Sequence, residues 1–329
     1  MIICTLIIAL IVALYSLSTG ELRIPLFKIP AILMHGKGSI EFTILNTIRL
    51  PRIIFGFAIG GALSLAGVIL QGVYRNPLVE PYTLGISGGA AIGVAISIVF
   101  GLHLTQGINI LPVSGFAGAL TTTFLVYMLS LKQGKLLIHK MILMGVMISF
   151  IASSLMMFLL ATTKAENLHN IIFWIMGSLD ESNSGLIYLS VIISVLCLIA
   201  SYLFIQPLNA LRLGEEKARH LGINTDVAIK LLFLISSLLT GLCVSVAGII
   251  GFVGLIIPQL VRLMIGNDFR ILLLISFITG GGFLVFCDTI ARTIISPNEL
   301  PIGVITGMLG GIVFVVVLTR TKSISKLAG

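Results

Sequence analysis

Residues 49–87 read RLPRIIFGFAIGGALSLAGVILQGVYRNPLVEPYTLGIS, and this stretch decides the fold. Its first half is an apolar run rich in glycine and alanine. A helix of about 20 apolar residues crosses the roughly 30 Å hydrocarbon core of a bilayer, and this run is long enough. Charge is confined to its flanks, with Arg49 and Arg52 before it and Arg75 and Glu80 after it. Pro77 and Pro81 forbid a continuous helix over RNPLVEP (75–81) and predict a stiff corner there. A second run of small residues follows from Gly85.

The composition of the whole chain agrees. Of its 329 residues, 57% are hydrophobic and 10% charged, and the mean hydropathy is +1.17. Soluble domains average about 45–50% apolar and about 25% charged residues. The chain is therefore an all-α integral membrane protein, a single transmembrane domain over 1–329. Lipid-exposed backbone must be satisfied inside helices or closed barrels, and the alternating ten-residue segments of a barrel are absent. Ten spans are expected, at 2–19, 51–72, 84–103, 108–131, 140–162, 185–205, 227–249, 251–265, 270–290 and 302–319. The first lacks a basic leading region and a small-residue cleavage site, so it reads as a span and not as a cleaved signal.

With both termini cytoplasmic, 13 Lys and Arg fall on the inner side and 7 on the outer. That bias is the positive-inside pattern. The pI near 9.5 then reports topology and anionic membrane lipid, with no nucleic acid needed. Cys4, Cys197, Cys243 and Cys287 all lie in apolar spans and read as small buried hydrophobes. The histidines show no metal-ligand spacing, and no GxxxxGK[ST] loop is present to hold a nucleotide. No metal, no cofactor and no catalytic site are expected. If ATP drives the protein, another chain hydrolyses it.

SLAGVI (64–69) has a near copy in SVAGII (245–250), and the offset of 181 also relates Gly67 to Gly248, Pro77 to Pro258 and Gly85 to Gly266. In the expected topology the two copies run in opposite directions. Inverted repeats, approximately 49–162 and 227–320, place a pathway between halves in many transporters. The small residues Gly60, Gly61, Gly67, Gly85 and Gly88 suit close helix packing and, with Gln71, Asn76 and Pro77, are candidates to wall such a path.

Arg49 and Arg52 share one helix face, with Pro51 setting the first turn. Positive charge at a helix N-terminus opposes the macrodipole, so the pair needs another purpose. One is snorkelling to headgroups or pairing with Glu41; the other is an outward patch that docks an acidic partner, joined by Arg292. Asp288 is four residues before Arg292 and is placed to pair with it. LNALRLGEEKARHLGIN (208–224) predicts a short helix along the membrane face, with Gly222 at its C-cap. It is either an ordinary amphipathic segment or a docking helix for a cytoplasmic motor. KQGKLLIHK (132–140) stands at the inner end of two spans, and 166–181 predicts a short outer helix carrying Trp174.

These segments are similar to the permease family of binding-protein-dependent ABC importers for iron-siderophores, haem and vitamin B12. RLPR (49–52), GALSLAGVILQ (61–71), RNPLVEPYTLGISGGA (75–90), WIMGSLD (174–180), LNALRLGEEKARHLGIN (208–224), AGIIGFVGLIIPQLVR (247–262) and DTIARTIISPNELPIGVITGMLGG (288–311) carry the resemblance, in the family's order. It implies the vitamin B12 importer-type permease fold in a prokaryotic cell membrane. It also implies a second permease subunit, identical or homologous, two cytoplasmic ATPase subunits and an extracytoplasmic substrate-binding protein. Carried over residue by residue, docking of the binding protein falls to Arg49, Arg52 and Arg292. ATPase coupling falls to Gly214, Glu215, Glu216, Ala218, Arg219, Leu221 and Gly222, and the inner gate to Ile138 and His139. Ferric siderophore is the leading cargo; haem, cobalamin and oxyanions are the alternatives. A secondary transporter or channel would want intramembrane carboxylates, which the apolar cores largely lack. One position departs from the family: Gln259 follows Pro258 where histidine is usual.

Overall fold

A computed structural model describes residues 1–329 except 103, 105–108, 134, 182, 296–297 and 328–329. The chain is nearly all helix. Its helices are α1 (Ile2–Ser18), α2 (Ile29–His35), α3 (Ile40–Tyr74), α4 (Ile86–Val99), α5 (Ile110–Ser130), α6 (Ile138–Thr162), α7 (Ala165–Met176), α8 (Ser184–Tyr202), α9 (Ile205–Leu211), α10 (Glu215–His220), α11 (Thr225–Ala247), α12 (Val253–Ile265), α13 (Phe269–Thr293) and α14 (Ile302–Leu327). By length and composition, α3, α5, α6, α8, α11 and α13 can cross a membrane. The shorter apolar helices α1, α4, α12 and the first part of α14 cover the other expected spans. Of the expected third and fourth spans, residues 103 and 108 lie outside the described residues. Between α5 and α6 the chain makes a hairpin of β1 (Leu131–Lys132) against β2 (Lys135–Leu136).

α3 is the axis of the bundle. It is apolar all round, and almost every residue from Arg52 to Tyr74 is buried. A helix with no polar face must be surrounded by protein or lipid; here α8, α11, α12 and α13 surround it. By contrast α5, α6, α8 and α14 keep large apolar side chains exposed, such as Phe124, Phe150, Ile192 and Ile312. Apolar surface on that scale marks lipid or a membrane partner. Cys4 also lies exposed on α1, unlike the other three cysteines, so its expected burial is corrected.

The start of α3 differs from the sequence expectation. The helix begins at Ile40, where Ser39 Oγ accepts the Phe42 N–H (3.1 Å). It runs through a π-helical turn at Ile44–Arg49 before Pro51. A proline inside a helix lacks an N–H and crowds the carbonyl four residues back, and the wider π turn relieves that crowding. Arg49 and Arg52 are therefore not at a helix N-terminus, and the macrodipole argument does not apply to them.

Close approach fixes the packing around α3. A Cβ on Gly60 would fall on the Gly280 carbonyl, and one on Gly280 would fall on Gly60 O and the Ser64 side chain. Gly67 meets the Gly254 carbonyl of α12 in the same way. Gly61 faces the Phe277 ring, and Gly88 faces Ala152 across α4 and α6. Gly85, at φ +76°, joins a 3₁₀ turn to α4 beside Gly145.

The two sequence copies do not share local backbone. SLAGVI lies inside α3, whereas SVAGII spans the end of α11, where Gly248 breaks the helix at φ +71°. Pro77 lies in the corner after α3, while Pro258 lies inside α12. Pro258 deprives the Gly254 carbonyl of its helical donor. Gln71 supplies the replacement: its Nε2 donates to Gly254 O (3.3 Å) and Leu255 O (3.2 Å), and its Oε1 accepts from Arg262 Nη1.

Gln71→Leu is expected to lower stability by about 1–3 kcal/mol for each stranded buried group, and Gly67→Ala by a similar amount through overpacking. Gly307→Ala, where a Cβ meets nothing within 4 Å, is expected to leave it unchanged. Thermal unfolding of the detergent-solubilised protein measures all three.

Candidate functional site

Arg49, Arg52 and Arg292 converge at one end of the bundle, beside a cavity of ≈ 540 Å³ that also exposes Glu21 and Glu299. Their side chains are spent inside the protein. Arg49 is only 3% exposed and donates to the carbonyls of Leu17 (2.6 Å) and Leu22, closing the end of α1. Arg52, 8% exposed, donates from Nε to Asp288 Oδ1 (2.9 Å) and grips Glu299 with both terminal nitrogens, at 2.8 and 3.2 Å. Arg292, 9% exposed, donates to Asp288 Oδ2 (2.9 Å) and Ser16 Oγ (2.9 Å).

The result is one chain of charge, Glu299–Arg52–Asp288–Arg292–Ser16, that ties α3, α13, α1 and the segment before α14. The Asp288–Arg292 pair is the one the i, i+4 spacing predicts. The partner of Arg52 is not Glu41 but Asp288 and Glu299, 236 and 247 residues away. Within that chain two guanidiniums face two carboxylates, while Arg49 stands beside it on carbonyls and Glu21 lines the same cavity. Asp288 is buried, whereas the Glu299 side chain is 45% exposed. Glu299 and Ser16 went unread in the sequence. The only signal was position: an acid just before the last span and a serine near the end of the first.

The opposite end of the bundle carries the second set of candidates. The connection 208–224 forms two short helices, α9 and α10, and not one. Gly214, at φ +111°, turns the chain between them. Gly222 ends α10 in a Schellman motif: its N–H donates to Arg219 O (2.9 Å), and the Ile223 N–H to Ala218 O (3.1 Å). Its φ of +83° is the left-handed conformation this motif requires. Arg219 donates to Glu215 within α10 (2.7 Å) and fastens it to α11 by donating to Thr225 (2.8 Å) and Asp226 (3.2 Å). Ala218 is buried, while Glu216 is exposed and Leu213 and Leu221 stand 59% and 63% exposed on either side.

Ile138 opens α6 just after the hairpin and packs on the core, and His139 is exposed. After α3, Arg75 takes the left-handed conformation, and the Asn76 side chain accepts the Leu78 N–H (2.9 Å). That turn, with Pro77, forms the expected corner. Burial pushes the Glu80 carboxyl up from its ordinary value, against a smaller opposing pull from the Phe252 backbone. Tyr82 Oη bonds both the N–H (3.2 Å) and the carbonyl (3.0 Å) of Ile250. Among the described residues no group of His, Cys, Asp and Glu is placed to hold a metal ion.

The chain is similar to known proteins over nearly its whole length. The profile described as the FecCD transport family matches residues 7–320. The cobalamin import system permease protein BtuC of Halobacterium salinarum is 36% identical over 288 residues, covering 88% of this chain and 76% of that protein. The hemin transport system permease protein HmuU of Yersinia pestis is 36% identical over 278 residues, covering 84% and 83%. Among solved structures, an ABC transporter assigned to the metal-chelate type, in an inward-facing conformation, superposes with a TM-score of 0.84 at 29% identity. The match covers 97% of this chain and 98% of that one.

Removing the shared carboxylate should be far more damaging than removing the outer one. Asp288→Asn leaves two buried guanidiniums without full compensation, a class of change that costs about 3–5 kcal/mol. Glu299→Gln loosens a half-exposed pair worth about 0–1 kcal/mol. Unfolding midpoints of the two variants, read against the unaltered protein, give the comparison.

Proposed function

Because the chain belongs to the FecCD transport family, as a multi-pass membrane permease subunit of an ABC importer with the vitamin B12 importer-type fold, we propose that its cargo is a metal chelate of the iron-siderophore kind. The observation that carries this reading is equal similarity to permeases named for hemin and for cobalamin. Haem and cobalamin are both metal ions held by a bulky organic chelator, and a ferric siderophore shares that chemistry. Haem and cobalamin themselves are the alternatives.

In this reading the subunit pairs with a second permease, through membrane-facing helices whose apolar side chains are exposed, and the path runs between them. Both termini face the cytoplasm. The exposed leucines around α10 seat a separate ATPase subunit on each permease. ATP closure pushes on α10, and the Arg219 contacts pass that push to α11. Ile138 and His139, beside the hairpin, close the inner end of the path.

An extracytoplasmic binding protein docks over the cavity of Arg49, Arg52 and Arg292. Since Asp288 is buried, the carboxylate that gives way to an acidic side chain of that partner is Glu299. Arg52 would then exchange an internal acid for an external one, while Asp288 keeps the arginines in place. Charge reversal at Arg52 is a poor probe of this step, because it also breaks the buried pair.

Proteoliposomes that hold the permease, its ATPase and its binding protein test the reading. ATP-dependent uptake of a ferric siderophore is expected, and uptake of cobalamin or haem in its place would overturn the cargo assignment. Leu221→Asp is expected to abolish uptake without changing the unfolding midpoint; normal uptake would remove α10 from the coupling path. Glu299→Gln should raise the affinity for the binding protein several-fold, on the scale of an exposed ion pair. A weaker complex would rule out the exchange.

A further inference from the structure

A second charged cavity, of ≈ 400 Å³, lies at the end of the bundle that carries α10. The C-terminal ends of α3 and α12, the turn into α13 and Arg212, beyond α9, enclose it. Arg75, Arg212 and Arg262 line it together with the amide side chains of Asn76, Gln259 and Asn267. No carboxylate is among its lining residues. None of the ion pairs among the described residues involves these three arginines.

The guanidiniums are positioned but not used up. Each has five N–H donors. Gln71 commits its Nε2 to Gly254 O, which Pro258 frees, and to Leu255 O, so its Oε1 is turned to Arg262 and anchors that side chain by one donor. Arg212 is anchored by one donor to Asn267 O (2.8 Å). Among the described residues, no side-chain hydrogen bond of Arg75 competes for its donors. Arg212 and Arg262 are near enough to repel each other.

Two things could offset this charge, and neither cancels it. The C-termini of α3 and α12 each contribute a partial charge of about −0.5, against three full positive charges. Asp268 stands near Arg212, but its carboxylate accepts the Arg270 N–H (3.0 Å) and the Asn209 amide (3.2 Å). Those bonds hold it below its ordinary pKa, and it caps α13 outside the cavity.

We propose that this cavity binds a phosphate-class oxyanion, held between Arg75, Arg212 and Arg262. Guanidinium forks match the oxygens of a phosphate in geometry and charge, and the free amides of Asn76 and Gln259 add donors. Basic pockets between membrane helices commonly take anionic lipid headgroups; a soluble phosphate offers the same oxygens. The site bears on function by position: a Cβ on Gly214 would lie 3.5 Å from Arg75 Nη1. An occupied cavity therefore braces the turn between α9 and α10, whatever cargo the permease carries.

Purified full-length protein in neutral detergent, titrated with phosphatidylglycerol, phosphatidylcholine and inorganic phosphate, tests the site by the shift in unfolding midpoint. Phosphatidylglycerol should stabilise and phosphatidylcholine should not. Arg75→Gln, which breaks no internal bond, and Arg212→Gln should each weaken the response roughly tenfold, the loss of one charged hydrogen bond. A response to phosphatidylglycerol alone assigns a lipid headgroup; a response to inorganic phosphate as well assigns a site open to soluble anions. Identical responses from the unaltered protein and both variants, equal stabilisation by phosphatidylcholine, or no response to any probe would overturn the proposal. So would variants that bind the anions normally yet lose the copurifying ATPase, since the arginines would then serve a protein contact.

Discussion

A carbonyl that loses its helical donor in an apolar solvent must find another inside the protein, and much of this structure follows from that need. Pro258 creates the demand in the middle of α12, and Gln71 of α3 answers it. The break between α11 and α12 creates a second demand. Tyr82 bonds both sides of Ile250, and the Ser178 N–H reaches Ala247 O at 3.0 Å. Each repair reaches a different part of the chain, so the irregular segment cross-links the fold. An isolated Pro258 helix would be unstable in lipid; in this setting it locks α12 against α3.

Charge obeys the same economy of burial. Taking a guanidinium out of water is costly unless its partners are well placed, and Asp288 is shared by two arginines so that neither is left alone. Arg49 is satisfied differently, by carbonyls at the end of α1. The same cluster therefore serves as structure first. Any contact it makes with a partner has to be won from a bond already formed, and only the half-exposed Glu299 can yield without unpicking the rest.

The six helices of membrane length among the described residues were legible, because apolar runs of that length leave few alternatives. The boundaries at 138–162, 184–202, 225–247 and 269–293 lie within a few residues of the expected ones. The corner at 75–81 and the Gly222 cap were legible because prolines and a glycine with left-handed φ are local signals. The π turn before Pro51 was not, since it depends on how the preceding segment packs. Glu299 and the role of Gln71 were also hidden, because their partners lie 247 and 183 residues away. The matching hexapeptides were legible as letters, and their local backbone was not. A constant offset in sequence joins Gly67 inside a helix to Gly248 at a helix break, so letter similarity did not carry backbone similarity.

The contact of Gly60 with Gly280 has a mechanical meaning. Backbone there rests on backbone, with no flexible side chain between to absorb movement, so α3 and α13 cannot slip past one another. They form one stiff lever. Beyond its π turn, α3 runs as a regular helix over Leu50–Tyr74, 25 residues and so about 38 Å, from the arginine cavity to the corner beside Gly214. A tilt imposed on this regular part is delivered along it as a rigid displacement, so a hinge within α3 falls at its π turn, Ile44–Arg49.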